Sequence, residues 1–237
     1  MRFKRILIVI VLAALLVPAA VQAKPAKGPP DKSGCKLPES NAEALEILSN
    51  YYPGYWWDHT NLTVAVQAHR SATRAQLAAI HGAIAIWSDV FDDCFDGLIT
   101  VTDVTGTKKS NQQAADIVVH YVPTAGGVAF EGYAVCGDHK CNNILVSSDS
   151  PPNLASDPST PEYIGWVTLH ELGHAFGLGH TSNLDESIDL MGYGWPALGD
   201  PVLSDCDIDA LRFVFAWVFE GSAPHPPAQV AQGLYYC

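Results

Sequence analysis

The sequence is poor in basic residues: 13 of its 237 residues are lysine or arginine, against 25 aspartates and glutamates. A nucleic-acid-binding domain needs a basic patch to meet phosphates, so the formal net charge of -12 argues against that class of partner. No CxxC pair is present, which argues against a cysteine-bound zinc site. After residue 23, no apolar run approaches the ~20 residues that a membrane span needs, so stable membrane insertion is not expected.

The N-terminus has the pattern of a secretory signal peptide. Arg2, Lys4 and Arg5 precede an unbroken apolar run at residues 6–17, and Ala23 ends a small-residue cleavage site. An uncleaved anchor is the alternative, but the run is short for one. The sequence therefore predicts a signal peptide at residues 1–23 and a secreted, extracellular protein.

Length and composition divide the rest of the chain. Residues 24–50 begin with a stretch rich in Pro, Gly and Lys and are interpreted as a flexible lead-in. The length suggests one domain with extensions, and residues 221–237 are interpreted as a Pro-rich C-terminal tail. No internal repeat is present.

The number of cysteines is even, which in an exported chain predicts disulfides and no free thiol. Cys136 and Cys141 are close enough in sequence to close a small hairpin loop. The partners of the others stay open: Cys35, Cys94, Cys206 and Cys237.

Hydrophobic periodicity predicts a mixture of strands and helices. Alternating or β-branched runs predict strands at 62–68, 98–104, 116–122, 128–136 and 143–147. Helices are predicted at 73–91, at 161–176 with Thr160 as its N-cap, and from Ser204 onward. The last helix has one expected buried stripe, formed by Ile208, Leu211, Phe215 and Val218.

The most informative stretch runs from His170 to His180 and reads HELGHAFGLGH. His170 and His174 are four residues apart, so on a helix both imidazoles project from one face and can reach one zinc ion. Glu171 can serve as a general base for a water on that ion. Gly177 permits the positive φ that would turn the chain back and bring His180 to the metal. Chance histidines rarely give this eleven-residue spacing, and the other histidines do not share it.

This stretch resembles the signature of the metzincin zinc peptidases, and its wording is closest to the matrixins. Met191 lies eleven residues after His180, and the segment around it resembles the methionine turn that this group places under its zinc. Residues 83–90, 115–119, 126–130 and 203–209 also resemble matrixin segments, so the resemblance covers about residues 51–220. It implies an α+β fold: a twisted, mostly parallel β-sheet with an antiparallel edge strand, an active-site helix and a C-terminal helix.

The resemblance also implies roles for particular residues. Tyr193 stands two residues past the methionine, where related families have a tyrosine that ligates zinc or stabilises the transition state. Matrixins hold a second, structural zinc near the edge strand, but the matching stretch here has Phe130 and Glu131, so one catalytic zinc is expected. Cys35 could mimic the prodomain cysteine that caps the matrixin zinc, although a disulfide is favoured. Calcium stays open, because no clear calcium motif is present.

These observations predict a secreted zinc metalloendopeptidase, a hydrolase in which Glu171 activates a zinc-bound water. The protein or peptide substrate would bind as an extended strand, beside the predicted strand that includes residues 128–134. A monomer is expected. Two alternatives stay open: a secreted binding or adhesion module that keeps the fold without cleaving, and a zinc amidase acting on non-protein substrates.

Overall fold

The computed structural model describes residues 55–122, 132–147, 160–180, 190, 191, 203 and 205–227, with residues 205 and 206 described only as backbone. The predicted signal peptide and lead-in therefore lie outside the described residues. The same is true of Tyr193, of residues 128–131 in the predicted edge strand, and of the end of the C-terminal tail.

The described strands form one five-stranded sheet. They are β1 (Asn61–Ala68), β2 (Thr100–Asp103), β3 (Ile117–Val122), β4 (Gly132–Gly137) and β5 (Lys140–Ser147). The order across the sheet is β2-β1-β3-β5-β4, and all neighbours pair in parallel except β4, which is antiparallel to β5. The predicted α+β fold with a mostly parallel sheet and an antiparallel edge strand is confirmed.

The β4–β5 hairpin places the edge strand. Its turn passes through Asp138, which has φ 52°, a conformation that aspartate tolerates better than most residues. Pairing begins at Gly137 and Lys140, so β5 starts earlier than the predicted residue 143. Cys136 and Cys141 are paired in register and joined by a disulfide, which confirms the predicted hairpin bridge.

The long helix α1 (Arg74–Cys94) packs on the sheet. Thr73 caps it: its hydroxyl accepts from the Gln76 N–H, and the Gln76 side chain accepts from the Thr73 N–H, forming a capping box. The helix runs one turn beyond the predicted end at Phe91, because the added turn buries Cys94 on the core side. Cys94 is disulfide-bonded to a partner outside the described side chains.

A short helix, α2 (Lys109–Gln113), was not predicted. It buries no residue and therefore has no hydrophobic periodicity to reveal it.

Helix α3 (Pro161–Ala175) lies in the interior, in contact with α1, β4 and β5. Thr160 caps it by accepting from the Tyr163 N–H at 3.3 Å, as predicted. Two indoles fix it further: Trp87 Nε1 donates to the Leu169 carbonyl at 2.9 Å, and Trp57 Nε1 donates to the Ala175 carbonyl at 2.8 Å. Buried residues occur all round this helix, which is therefore held rigidly by its neighbours.

The C-terminal helical region differs from its prediction. It is divided into α4 (Asp205–Val214) and α5 (Ala216–Glu220), with the break at Phe215. Ile208, Leu211 and Phe215 are buried as predicted. The break changes the helical phase, so that Trp217 is buried beyond it and Val218 is only partly buried. None of the helices within the described ranges combines the length and the apolar character needed to cross a bilayer.

Candidate metal centre and cleft

Helix α3 carries three of the residues singled out in the sequence. His170 and His174 lie one turn apart, with their ring centroids 4.7 Å apart, and Glu171 follows His170 directly. His170 and Glu171 are 5% and 7% exposed. Because α3 is packed on several sides, these side chains are held on a rigid element close to the protein interior.

The chain turns sharply after α3 and brings His180 back to the helix. Gly177 has φ 108°, and a Cβ built on it would stand 2.8 Å from Val214 Cγ1 and 2.9 Å from the Tyr55 carbonyl oxygen. Any side chain would therefore be strained in its backbone and would also collide with its neighbours. The Leu178 N–H donates to the Gly173 carbonyl at 2.9 Å and closes the turn. The predicted role of Gly177 is confirmed by this geometry.

The three histidines converge on one point. His180 Nε2 lies 3.2 Å from His170 Nε2 and 3.2 Å from His174 Nε2. A zinc ion with nitrogen ligands at ~2.0–2.1 Å in tetrahedral geometry keeps those nitrogens about 3.3 Å apart. The spacing between these nitrogens therefore fits a zinc ion bound to all three.

Two backbone carbonyls fix which nitrogen of each helix histidine is protonated. The Leu190 carbonyl lies 2.6 Å from His170 Nδ1, and the Leu178 carbonyl lies 2.8 Å from His174 Nδ1. A carbonyl can only accept, so each Nδ1 is a donor and each neutral ring presents a bare lone pair at Nε2. Lone pairs aimed at a common point repel unless a cation lies between them. The donor set therefore suits a metal ion, with each ring oriented by a second contact.

Burial holds these rings in the neutral form that binds metals. It lowers the pKa of His170 well below its ordinary value, and the neighbouring rings of His174 and His180 lower that pKa further. Burial also lowers the pKa of His174, and it lowers the pKa of His180 to about 4. At neutral pH, all three imidazoles are therefore uncharged and ready to donate lone pairs.

Met191 lies close to this centre. It is fully buried, and its sulfur would be 2.6 Å from a Cβ built on Gly173, the residue before His174. The preceding residue, Leu190, supplies the carbonyl that orients His170. Met191 thus packs against α3 beside His174, and its predicted position under a bound zinc stays a prediction.

A cleft of about 370 Å³ opens in front of the histidines. Glu171, His174 and His180 line it together. The edge strand β4 contributes a second wall, and the segment after α3 a third; the remaining lining residues are Tyr55, Gly132, Tyr133, Ala134, Cys136, Leu178 and Gly179. The predicted general base, two of the three predicted metal ligands and the edge strand thus line one cavity.

Tyr55 belongs to a lining segment that sequence reasoning missed. This segment crosses the hairpin turn: the Trp56 N–H donates to the His139 carbonyl at 2.8 Å, and the Trp56 and His139 rings stack at 5.2 Å. Lys140 Nζ bonds to Asp58 Oδ1 at 2.7 Å, and this cation lowers the pKa of Asp58. No local signal in the sequence links residue 55 to a motif more than a hundred residues away.

Within the described ranges, His170, His174 and His180 are the one group of three or more side chains arranged to hold a metal ion. Outside this group, the ring of His139 stacks on that of Trp56. Roles for Tyr193 and for Cys35 lie outside the described residues and stay predictions.

Residues 66–181 match the model of a family described as "Metallo-peptidase family M12B Reprolysin-like". This part of the chain is similar to the metallopeptidase domains of that family. The matched residues include β3, β5, α3 and the histidine triad, so the family match and the geometry coincide on the same part of the chain. The metzincin resemblance read from the sequence is confirmed.

Two curated relatives are interstitial collagenases. The one from Sus scrofa is 26% identical over 180 residues, covering 67% of this chain and 32% of the collagenase. The one from Oryctolagus cuniculus is 26% identical over 192 residues, covering 72% of this chain and 35% of the collagenase. The matching region thus spans about a third of the length of these relatives.

Similar solved structures include two metalloproteases. High choriolytic enzyme 1, a hatching enzyme zinc-protease from Oryzias latipes, is 18% identical with a TM-score of 0.30, covering 54% of this chain and 50% of that one. Metalloproteinase-II from Bacteroides fragilis is 18% identical with a TM-score of 0.41, covering 80% of this chain and 58% of that one. TM-scores this low support no inference about this chain.

Proposed function

We propose that this protein is a secreted, zinc-dependent endopeptidase. The observation that carries the proposal is the shared cleft, which is lined together by Glu171, by two of the three converging imidazoles and by the edge strand β4. His170, His174 and His180 would hold the ion. When bound, zinc supplies Lewis-acid chemistry, lowering the pKa of water and polarising a carbonyl.

The residues of the chain supply the proton transfers. Glu171 accepts a proton from the attacking water at a carboxylate oxygen and returns it to the nitrogen of the leaving amine. The Leu190 and Leu178 carbonyls keep the imidazoles of His170 and His174 oriented throughout, so the site needs no reorganisation during the reaction. Tyr193 is proposed to help stabilise the developing oxyanion.

The edge strand favours a peptide as the substrate. Among the described strands, β4 pairs only with β5, which leaves the backbone groups of its other edge free to pair with an extended peptide. Such a peptide would pass Glu171 with residues on both sides of the cleaved bond, which is the geometry of an endopeptidase. Interstitial collagenase relatives also support a protein substrate, without identifying it.

Secretion is proposed from the N-terminal pattern, and it is supported by the Cys136–Cys141 disulfide, because disulfides persist mainly in oxidising compartments. A readout of the mature N-terminus by mass spectrometry, after expression with the native leader, tests this directly. A protein that starts at residue 24 would support export, and an uncleaved leader would contradict it.

Peptide-library cleavage followed by mass spectrometry tests the activity. The zinc-loaded protein should cut within peptides, and a chelator should stop the cutting. Zinc binding without any cleavage would favour a binding module instead. Hydrolysis of non-protein amides alone would favour the amidase alternative.

A further inference from the structure

The first residue of the edge strand lies directly against the proposed general base. A Cβ built on Gly132 would stand 2.6 Å from Glu171 Cγ and 2.6 Å from Val167 Cγ1, and it would also collide with Glu171 Oε1. Real Cβ atoms essentially never come this close to other heavy atoms. The Glu171 side chain therefore occupies the volume that a side chain at position 132 would need.

Neither Val167 nor the strand itself can move aside easily. Val167 is fully buried in α3, and a β-branched side chain in a helix has one strongly preferred rotamer. The strand cannot retreat either, because Gly132 pairs with Val146, which is fully buried in β5. An added methyl group at position 132 would thus be accommodated chiefly by displacing Glu171.

We propose that Gly132 is a positioning residue for Glu171: its missing side chain lets the carboxylate lie against the edge strand, in the cleft shared with His174 and His180. The inference rests on the proposed peptidase function. The edge strand would then have two roles: its backbone pairs with the substrate, and its first residue leaves room for the Glu171 side chain.

The chain offers a matched control on the same strand. Gly137 ends β4, and a Cβ built there meets nothing within 4 Å. Gly132→Ala and Gly137→Ala are therefore the same chemical change on one strand, with a collision at one end and open space at the other.

Steady-state cleavage of one library-derived peptide by the zinc-loaded variants is the first test. Because general-base catalysis contributes roughly 10²- to 10⁴-fold, Gly132→Ala should lower kcat by about 10²-fold or more, with KM changed only a few-fold and with zinc content unchanged. Gly137→Ala should keep wild-type kcat. A wild-type kcat in Gly132→Ala, or an equal loss in both variants, would overturn the positioning role.

The second test does not depend on activity. Glu171→Ala removes both Cγ and the carboxylate, so the collision with Glu171 should disappear in that background. The loss in Tm caused by Gly132→Ala in the zinc-loaded protein should therefore be smaller in the Glu171→Ala background than in the wild-type background. An equal Tm loss in both backgrounds would show that the two residues do not compete for space.

The two failures are distinguishable. If the wild-type protein cleaves no peptide, the proposed function fails, and the catalytic role of Gly132 fails with it. If the wild type cleaves peptides and Gly132→Ala does so equally well, the positioning role alone is wrong.

Discussion

Met191 lies against Gly173 so closely that a Cβ on the glycine would stand 2.6 Å from the methionine sulfur and 3.3 Å from its methyl carbon. Leu178 Cδ1 would be 3.5 Å away on the same side. Gly173 directly precedes His174, so this contact packs the methionine against the part of α3 that carries the histidines. Met191 can therefore pack this close to α3 only because residue 173 has no side chain.

Gly173→Ala should destabilise the protein for this reason. Overpacking a close-fitted core costs about 1–3 kcal/mol, and the buried Met191 has little room to move away. Gly82→Ala is the matched control, since Gly82 lies in α1 with nothing within 4 Å of its Cβ and should gain about 0.5–1 kcal/mol from the better helix former. Urea denaturation measures both. Equal stabilisation by the two changes would contradict the packing argument.

Removing the metal should lower the Tm of the wild-type protein. A ligand that binds only the folded state stabilises it by RT ln(1 + [L]/Kd), which is about 4 kcal/mol at a thousandfold excess over Kd. Calorimetry with and without a chelator measures the shift, and added zinc should restore it. His174→Ala removes one ligand, so its Tm should respond far less to the chelator. An unchanged wild-type Tm on complete zinc removal would argue against a tightly held ion.

Glu171→Ala should separate metal binding from turnover. The three imidazoles are untouched and alanine suits a helix interior, so zinc content should match that of the wild type. Turnover should fall by roughly 10²- to 10⁴-fold, because the attacking water loses its proton acceptor. Zinc content and peptide cleavage are measured on the same samples. Full activity in zinc-loaded Glu171→Ala would rule out the proposed mechanism.

Tyr193→Phe should lower kcat with little change in KM if the phenol stabilises the oxyanion, because that contact would form only in the transition state. The measurement is steady-state kinetics on the library-derived peptide. Unchanged kcat and KM would remove Tyr193 from the catalytic residues.

The sequence predicted best what depends on near neighbours along the chain. Thr160 as a cap, Gly177 as a turn and Cys136 paired with Cys141 all follow from spacings of a few residues. The convergence of His170, His174 and His180 was predictable for the same reason, because one helix and one turn set it.

The missed features depend on contacts between distant segments. Gly132 approaches Glu171 only because the register of the β4–β5 hairpin places it there. Tyr55 lines the cleft only because the nearby Trp57 is hydrogen-bonded to the end of α3. The break at Phe215 was also missed, since an apolar stripe continues smoothly through it in sequence. Periodicity reports which face is buried, and it says little about where the helix axis changes.

The edge strand should also select substrate side chains. Burial alternates along β4: Gly132, Ala134 and Cys136 are half-buried, whereas Tyr133 and Val135 are 61% and 40% exposed. A peptide paired with the free edge would place alternate side chains beside these two apolar groups. Aromatic and β-branched residues should therefore be favoured at those substrate positions.

Tyr133→Ser and Val135→Ser test this selection against Leu98→Ser. Cross-strand pairs contribute about 0.2–1 kcal/mol each, so each β4 change should lower kcat/KM by up to about fivefold for peptides with apolar residues at the facing positions. Peptides with serine there should be cleaved almost as before. Leu98 is 47% exposed and lies just before β2, which forms the opposite edge of the sheet. Leu98→Ser should therefore leave the kcat/KM of both peptide sets unchanged. An equal loss of kcat/KM on the apolar and the serine peptides, or the same loss from Leu98→Ser, would show that β4 does not select these substrate side chains.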